Sequence, residues 1–220
     1  MVNKNPGTER VLRLIGLLRD EYGSPHREGP ADPLDELVLT ILSQNTSDRN
    51  SFRAYSSLKE RFPEWKDAAE ADVSTIEETI RLSGLSKGKA GTIKRVLKRL
   101  KEDRGDYTLE FLMEEEHPMD YLTSIKGVGP KTAACVLVFS LDIPAFPVDT
   151  HIHRVVRRLG LVEYSRDRIS TQIELNRLVP DKSKYEGHLL FIEHGRRTCH
   201  ARSPNCGECV LSRECPRTGV

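Results

Sequence analysis

Four cysteines near the end of the chain are the first group that could do chemistry. Cys199, Cys206, Cys209 and Cys215 lie within the last 22 residues and form a C-x6-C-x2-C-x5-C array. The chain opens on a charged segment rather than an apolar signal core, so a shared metal centre is favoured over a disulfide knot. Zinc sites usually pair two C-x2-4-C knuckles, and the array has one. The wider outer spacings favour the four corners of a [4Fe–4S] cube, with zinc as the alternative.

A second feature is a glycine-rich turn between two apolar segments. Gly127-Val128-Gly129 is followed by Pro130, which can start a helix because its missing N–H is not needed there. Glycine lacks the Cβ that would block a positive φ or a close approach, so the turn and the helix N-terminus can present amides to an anion. The pattern predicts a helix-hairpin-helix at about residues 117–140 that binds a DNA phosphate without reading sequence. An ordinary corner between two helices is the alternative.

Lys131 and Asp149 could carry a reaction beside that phosphate site. Lys131 lies in the first turn of the second hairpin helix, among apolar residues. Burial and the helix dipole both disfavour its ammonium form, which predicts an amine nucleophile. Asp149 directly precedes another predicted helix, where an N-cap is its ordinary role. As a functional group it could deprotonate the lysine or stabilise positive charge on a sugar. Together with the phosphate site, the two residues indicate nucleophilic attack at an anomeric carbon of DNA.

The elements that must position these groups are helices. Apolar residues follow a helical spacing from Val11, Leu34 and Ile93, and Asp32-Pro33 forms a cap with proline at the first helical position. Further helices are predicted near residues 47–61, 73–82, 108–114, 117–125, 130–140, 150–159, 166–178 and 185–197. No run of apolar and polar alternation marks a strand, so the predicted fold class is all-α. The fifth cysteine, Cys135, lies in an apolar run and is predicted to be a buried thiol.

Prolines near residues 30–33 and 144–147 predict two helical domains with a cleft between them. The first is a central domain of residues 33–143, which ends in the hairpin. The second is discontinuous, joins residues 1–32 to 144–220 and carries the cysteine array. The whole chain has a net charge of +1, but residues 1–120 carry −4 and residues 121–220 carry +5. The second half is therefore the better candidate to contact an anionic polymer, although two differently solvated surfaces would give the same numbers.

The three motifs together resemble the endonuclease III family of helix-hairpin-helix DNA glycosylases. The GVGPKTA turn, the PVDTHIHRV segment and the cysteine array occur in that family's order, from about Leu34 to Cys215. The resemblance implies that Lys131 and Asp149 are catalytic and that the four cysteines of the array hold a [4Fe–4S] cluster. It also implies a bifunctional DNA N-glycosylase and AP lyase that flips a damaged pyrimidine, expected to be an oxidised one, out of duplex DNA. A lysine Schiff base and β-elimination would then nick the strand 3′ to the abasic site.

The resemblance also implies a set of DNA contacts. Leu85 falls on the wedge that displaces the base, with an ordinary core leucine as the alternative. Asn45 falls where the family usually has the glutamine that fills the vacated gap, and a shift by one residue would place Gln44 there. The other expected contacts are Lys126, Gly127, Val128, Gly129, Thr132, His151 and Arg202.

Other functions remain open on the sequence. Residues 106–122 and the AFPVDT segment also resemble the glycosylase domain of plant 5-methylcytosine demethylases, so a thymine or uracil mismatch glycosylase or a 5-methylcytosine glycosylase is the alternative. A non-catalytic iron–sulfur DNA-binding module would not need Lys131 or Asp149. The expected partner is double-stranded DNA with damaged bases or abasic sites. The longest apolar stretches, such as residues 133–141, are far shorter than the roughly 20 residues of a membrane span. No membrane partner is therefore expected, and the protein is expected to be monomeric, cytoplasmic and associated with the nucleoid.

Overall fold

Every regular element that the computed structural model describes, over residues 6–26 and 32–220, is a helix. The predicted all-α class is therefore confirmed. The α-helices are α1 Pro6–Tyr22, α2 Pro33–Ser43, α3 Asp48–Arg61, α4 Trp65–Glu70, α5 Val73–Thr79, α6 Ser86–Arg104, α7 Pro118–Ser124, α8 Pro130–Ser140, α9 Thr150–Arg158, α10 Arg168–Leu178 and α11 Asp181–Arg197. Two 3-10 turns lie at Arg81–Ser83 and Glu110–Met113.

The described residues divide into two compact units. The hairpin unit comprises residues 32–143 and contains α2 to α8. The cysteine unit comprises residues 6–26 and 144–220 and contains α1 and α9 to α11. Residues 1–5 and 27–31 lie outside the described part of the chain. Pro30, one of the prolines that predict the first domain boundary, is among them. The expected cleft between the domains stays a prediction.

In the hairpin unit, a capped and apolar α2 supports the hairpin. Asp32 accepts hydrogen bonds from the backbone N–H groups of Leu34 and Asp35, both at 2.9 Å, and Pro33 takes the first helical position. Helix α2 packs against α8, α3 and α6. The apolar faces predicted on α2 and α6 are fully buried. The packing of α2 against α8, rather than local propensity, holds α8 in place.

In the cysteine unit, α11 packs against both α1 and α9. The predicted apolar face of α1 is buried from Val11 to Leu18. Phe146 and Phe191 fill the middle of this core, with their ring centroids 6.4 Å apart. Helix α9 begins directly after Asp149, and α11 leads into the cysteine array. The packing of α9 against α11 therefore fixes both within one core.

Two helix predictions differ from the structure. The segment predicted as a helix over residues 108–114 forms only the 3-10 turn Glu110–Met113. Leu109 and Leu112 are buried while Met113 is 60% exposed, so a longer helix would have no further apolar face to pack. Helix α4, which was not predicted, is six residues long, too short to show helical periodicity. Its buried Trp65 donates its indole N–H to Asp35 at 2.9 Å, a contact that only the tertiary structure provides.

Smaller differences concern element ends. The helix predicted over residues 73–82 ends at Thr79 and continues as the 3-10 turn, and the last helix begins at Asp181 rather than residue 185. Cys135 is buried, as predicted, at 2% exposure. Among residues 6–26 and 32–220, no helix combines the length and the apolar character needed to cross a membrane.

Candidate active site and cysteine centre

The predicted hairpin is present, formed by α7, the turn at residues 125–129 and α8. Gly127 has φ 104°, and a Cβ added there would lie 2.4 Å from the Thr92 hydroxyl oxygen. Only glycine satisfies both conditions. The Val128 N–H donates to the Ile125 carbonyl at 2.9 Å and closes the turn.

The two glycines of the turn are not equivalent, contrary to the sequence argument. Gly129 is the N-cap of α8 with φ −93° and ψ 170°, an extended conformation open to any residue. A Cβ built on Gly129 meets no protein atom within 4 Å. The steric requirement for glycine therefore holds within this unit at Gly127 and not at Gly129.

An arginine from α6 supports the turn from behind. The Arg95 guanidinium donates to the Lys126 carbonyl at 2.7 Å and to the Thr92 hydroxyl at 2.9 Å. The Lys126 side chain is exposed, whereas Val128 and Thr132 are buried at 4% and 3% exposure. Any DNA contact by Val128 or Thr132 would thus involve the backbone rather than the side chain.

Lys131 lies in the first turn of α8, half-buried, with a carboxyl group from α2 in its electrostatic environment. Burial raises the pKa of Glu36, while a hydrogen bond from Thr40 and the positive charge of Lys131 both oppose that rise. The Thr40 hydroxyl donates to Glu36 at 2.9 Å. Sequence reasoning missed Glu36, because Asp35 and Glu36 are both acidic in the first turn of α2 and no local feature marks the one that lies near Lys131.

Asp149 is the N-cap of α9. Its Oδ1 accepts the Ile152 N–H at 2.8 Å, and its carbonyl accepts the His153 N–H at 3.0 Å. The capping role proposed as the ordinary alternative is therefore real. The cap uses one carboxylate oxygen and fixes the direction of the group, so it is compatible with a second, chemical role.

His151 is tied to the cysteine array through Arg154. The Arg154 guanidinium lies 3.1 Å from His151 Nδ1, donates to the Gly195 carbonyl at 2.8 Å and donates to the Cys199 carbonyl at 2.9 Å. The first turn of α9 and the start of the array therefore belong to one hydrogen-bonded network.

The α2–α3 loop contains both residues considered for the vacated gap. The Gln44 side-chain amide donates to the Thr132 hydroxyl at 3.3 Å and so joins the loop to α8. Asn45 is exposed and has φ 52°, in the left-handed region. Both residues are exposed, and Gln44 differs from Asn45 in that its side chain is hydrogen-bonded to α8.

Leu85 does not belong to the core, so the alternative of an ordinary core leucine is wrong. Leu85 is 65% exposed, and its φ is 48°. It lies between the 3-10 turn Arg81–Ser83 and the first residue of α6. Leu82, in the preceding 3-10 turn, is 47% exposed as well. An apolar side chain held outward in an uncommon backbone conformation suits insertion into another molecule.

The four cysteines of the array line one cavity in the cysteine unit. Burial, reinforced by the other cysteines, raises the pKa of Cys209 and of Cys215. Thiols crowded in this way cannot all ionise unless a cation compensates their charge. Among the described residues, no three His, Cys, Asp or Glu side chains are close enough to surround a single metal ion. A four-iron cube takes one sulfur at each corner, and an all-thiolate donor set in one apolar-walled cavity fits such a group.

Side chains from the helices donate to the sulfurs and to the loop beside them. The Arg158 guanidinium donates to Cys199 Sγ at 3.4 Å and to the His200 carbonyl at 2.6 Å. His194 Nε2 lies 3.7 Å from Cys209 Sγ. Burial lowers the pKa of His194 to about 4, so its ring is neutral at pH 7. Such contacts orient cluster ligands and tune the metal.

The candidate residues are divided between the two units. The hairpin unit holds Lys131, the turn, Asn45 and Leu85. The cysteine unit holds Asp149, His151, the four cysteines and Arg202, which is exposed on the loop between Cys199 and Cys206.

Comparison with known proteins places this arrangement in a class. Residues 38–181 match the HhH-GPD superfamily of base excision DNA repair proteins, and residues 199–215 match the iron–sulfur binding domain of endonuclease III. An endonuclease III from Synechocystis is 35% identical over 94% of this chain and 92% of its own. The trapped endonuclease III–DNA covalent intermediate superposes with a TM-score of 0.83 at 26% identity, covering 96% of each chain. The class is that of bifunctional enzymes, helix-hairpin-helix DNA glycosylases with AP lyase activity.

Within that class, the chain belongs to the endonuclease III family, and it carries that family's [4Fe–4S] cofactor. A putative DNA glycosylase of Arabidopsis thaliana is 45% identical over 165 residues, 74% of this chain. The chain spans 56% of the length of that plant relative.

Proposed function

We propose that this enzyme removes damaged, oxidised pyrimidines from duplex DNA with Lys131 as its nucleophile. The observation that carries the proposal is the position of Lys131, in the first turn of α8 directly behind a turn that only glycine can form. An amine placed behind a phosphate-binding turn can reach the sugar of a nucleotide whose base is flipped out.

The reaction follows from an amine at this position. Neutral Nζ attacks C1′, the bond to the base breaks, and the base leaves with the electron pair and takes up a proton. The nitrogen then forms a Schiff base with the opened sugar. Loss of a C2′ proton expels the 3′ oxygen, and hydrolysis releases the lysine.

Asp149 supports this chemistry as an oriented carboxylate. Its helix cap holds one oxygen in place, so the group needs no reorganisation when positive charge develops on the sugar.

The hairpin and the loops serve binding. The amides of the turn and the N-terminus of α8 bind a phosphate of the backbone. Leu85 enters the stack where the base leaves, and Asn45 fills the gap and faces the orphaned partner base. Lys126, His151 and Arg202 contact phosphates.

Cys199, Cys206, Cys209 and Cys215 are the proposed ligands of the cluster. When bound, the cluster cross-links four points of the array and can exchange an electron. Arg158 and Arg154 hold the adjoining loop by its carbonyls, and this loop presents Arg202 to DNA. We further propose that the protein acts as a monomer on intracellular DNA.

A second candidate substrate is 5-methylcytosine or a mismatched thymine or uracil. It is favoured by residues 106–122, where the chain carries the extra segment that resembles the plant demethylase domain. The same lysine chemistry would apply, and only the pocket for the base would differ.

A panel of duplexes separates these possibilities. Each duplex carries one oxidised pyrimidine, 5-methylcytosine, a thymine or uracil mismatch, or an abasic site, and borohydride is added during the reaction. We expect a covalent adduct with the oxidised pyrimidines and with the abasic site. Trapping with 5-methylcytosine or mismatches alone would favour the second candidate, and release of a base without any adduct would contradict the lysine mechanism.

A further inference from the structure

Lys89 is a buried cation that the chemistry above does not use. It lies in the first turns of α6, and its side chain belongs to a residue only 4% exposed. Its Nζ donates to the Leu42 carbonyl and to the Ser83 carbonyl, each at 2.7 Å. A lysine is costly to bury, and burial lowers the pKa of this one to about 8. Such a group calls for an explanation beyond filling space.

The two carbonyls belong to the bases of the two loops that present Asn45 and Leu85. Leu42 is in the last turn of α2, three residues before Asn45, and Ser83 ends the 3-10 turn, two residues before Leu85. Both Asn45 and Leu85 adopt positive φ, at 52° and 48°. A leucine holds such a conformation only when the surrounding contacts impose it, whereas asparagine adopts it more readily.

Lys89 also contacts the second loop through its backbone. Its N–H donates to the Leu85 carbonyl at 3.1 Å and starts the hydrogen bonding of α6. Lys89 therefore holds this loop at two points. Its backbone N–H binds the Leu85 carbonyl, and its ammonium group binds the carbonyl of Ser83, two residues earlier. One residue thus fixes the loop of Leu85 and ties it to the loop of Asn45.

We propose that Lys89 is a positioning residue that locks the two loops at a fixed separation, so that Leu85 and Asn45 enter the duplex as one rigid unit. The inference rests on the proposed function of those loops. Base extrusion needs both side chains at once, one as wedge and one as filler, and a shift of about 1 Å in such a pair can cost about a hundredfold in rate.

The same helix provides a matched control. Lys94, on α6, also donates its Nζ to two backbone carbonyls, those of Ala69 and of Ala71, the latter at 2.7 Å. These carbonyls lie at the end of α4, away from both loops. Lys94→Met therefore removes the same kind of contact from the same helix without touching Asn45 or Leu85.

The first test needs no catalysis. We expect Lys89→Met to increase amide hydrogen exchange about tenfold in both residues 42–48 and residues 82–88. Lys94→Met should leave both segments protected. Faster exchange in only one segment, or in neither, would overturn the coupling whether or not the enzyme has the proposed activity.

The second test asks whether the coupling serves base extrusion. On a duplex with an oxidised pyrimidine, Lys89→Met should reduce single-turnover excision by at least about tenfold, while strand cleavage at a preformed abasic site falls by less than about threefold. Lys94→Met should change neither rate by more than about threefold. Equal losses on both substrates, or the same selective loss in Lys94→Met, would show a structural role only.

Two further variants keep the proposal falsifiable if Lys89→Met does not fold. Lys89→Arg retains a buried cation but changes its reach, and it should show the same selectivity between the two substrates. In a double-mutant cycle on the excision rate, Lys89→Arg should lower the rate much less in a Leu85→Ala background than in the wild type, because both residues act on one step. Additive effects would contradict the proposal. Wild-type protein that releases no base from any duplex would refute the proposed function instead, and the exchange result would still stand.

Discussion

The two units hold their reactive groups by different means. In the hairpin unit, Lys131 is positioned mainly by close packing of the backbone, because α8 packs on α2 and Gly127 lies against Thr92. One guanidinium, that of Arg95, also donates to the Lys126 carbonyl of the turn. In the cysteine unit, α9 and the array are held by side chains that donate to carbonyls and sulfurs, chiefly those of Arg154 and Arg158. Steric changes should therefore damage the first unit, and changes of ligands or charge should damage the second.

Lys131, the proposed nucleophile, is the residue of the hairpin unit whose replacement should cost most activity. In Lys131→Gln the amine is gone, so no Schiff base can form and borohydride trapping should fall to zero. Duplex binding should persist, because the turn and α8 are unchanged. Gel-shift and trapping assays on the same preparation measure both. Lys126→Gln removes a lysine from the turn before α8 but leaves the amine of Lys131, so this control should still be trapped.

Loss of a proposed cluster ligand should distinguish the two units most clearly. Cys199→Ser should reduce bound iron well below four per chain and destabilise the cysteine unit, because metal binding and folding are coupled. The hairpin unit should keep its protection from hydrogen exchange. Iron analysis, visible absorbance and exchange measure these effects, with Cys135→Ala as the control that retains the cluster. One zinc per chain in the wild type, without visible absorbance, would contradict the cofactor.

Asp149→Asn tests whether a helix cap is also a catalytic group. Asparagine caps helices about as well as aspartate, so the free energy of unfolding should change by less than about 1 kcal/mol. Single-turnover excision should fall by at least about 100-fold, because the charge that supports the sugar cation is lost.

A second cap in the same unit is the control for that change. Asp167 caps α10 in the same way, accepting the Ser170 N–H at 2.7 Å. Asp167→Asn should therefore leave excision unchanged. An Asp149→Asn enzyme that melts earlier but excises normally would reduce Asp149 to a cap.

The two glycines of the hairpin should respond differently. Gly127→Val places a branched side chain against Thr92 at positive φ, and it should weaken binding to damaged and undamaged duplexes alike by at least about tenfold. Gly129→Ala should fold normally, since its Cβ meets no protein atom within 4 Å. Binding isotherms on both duplexes and thermal melts check this. Loss of lesion preference with normal non-specific affinity would contradict the phosphate-binding role.

The last expected effect is a change of folding stability with pH that arises from Lys89. Its folded-state pKa is lowered to about 8 by burial, against an ordinary value of 10.5. Between these values the unfolded chain keeps a proton that the folded chain has released, so folding stability rises with pH. Urea unfolding should therefore show wild type gaining stability over Lys89→Met from pH 8 towards 10.5. If the difference in unfolding free energy between wild type and Lys89→Met stays constant or shrinks over this pH range, the Lys89 ammonium is better solvated than its burial indicates.

The sequence by itself determined the helical class, the apolar faces of α1, α2 and α6, the caps at Asp32 and Asp149, and the location of the hairpin. These features depend on near neighbours in the chain: a 3.6-residue period, a cap followed by proline, or a glycine at a turn. The cysteine array was equally visible, because its chemistry depends on residue type and spacing. The family resemblance added the roles of Lys131 and Asp149, which stay predictions.

Only the tertiary structure decided which residues meet across long separations in the chain. The need for glycine at 127 comes in part from Thr92, 35 positions away, and the short helix α4 is supported by contacts from other helices, among them that of Trp65 with Asp35. Glu36 near Lys131 and Lys89 beneath two loops carry no local signal that distinguishes them from other charged residues on helices. Their roles depend on burial and on backbone carbonyls brought in by packing, and a linear pattern does not contain that information.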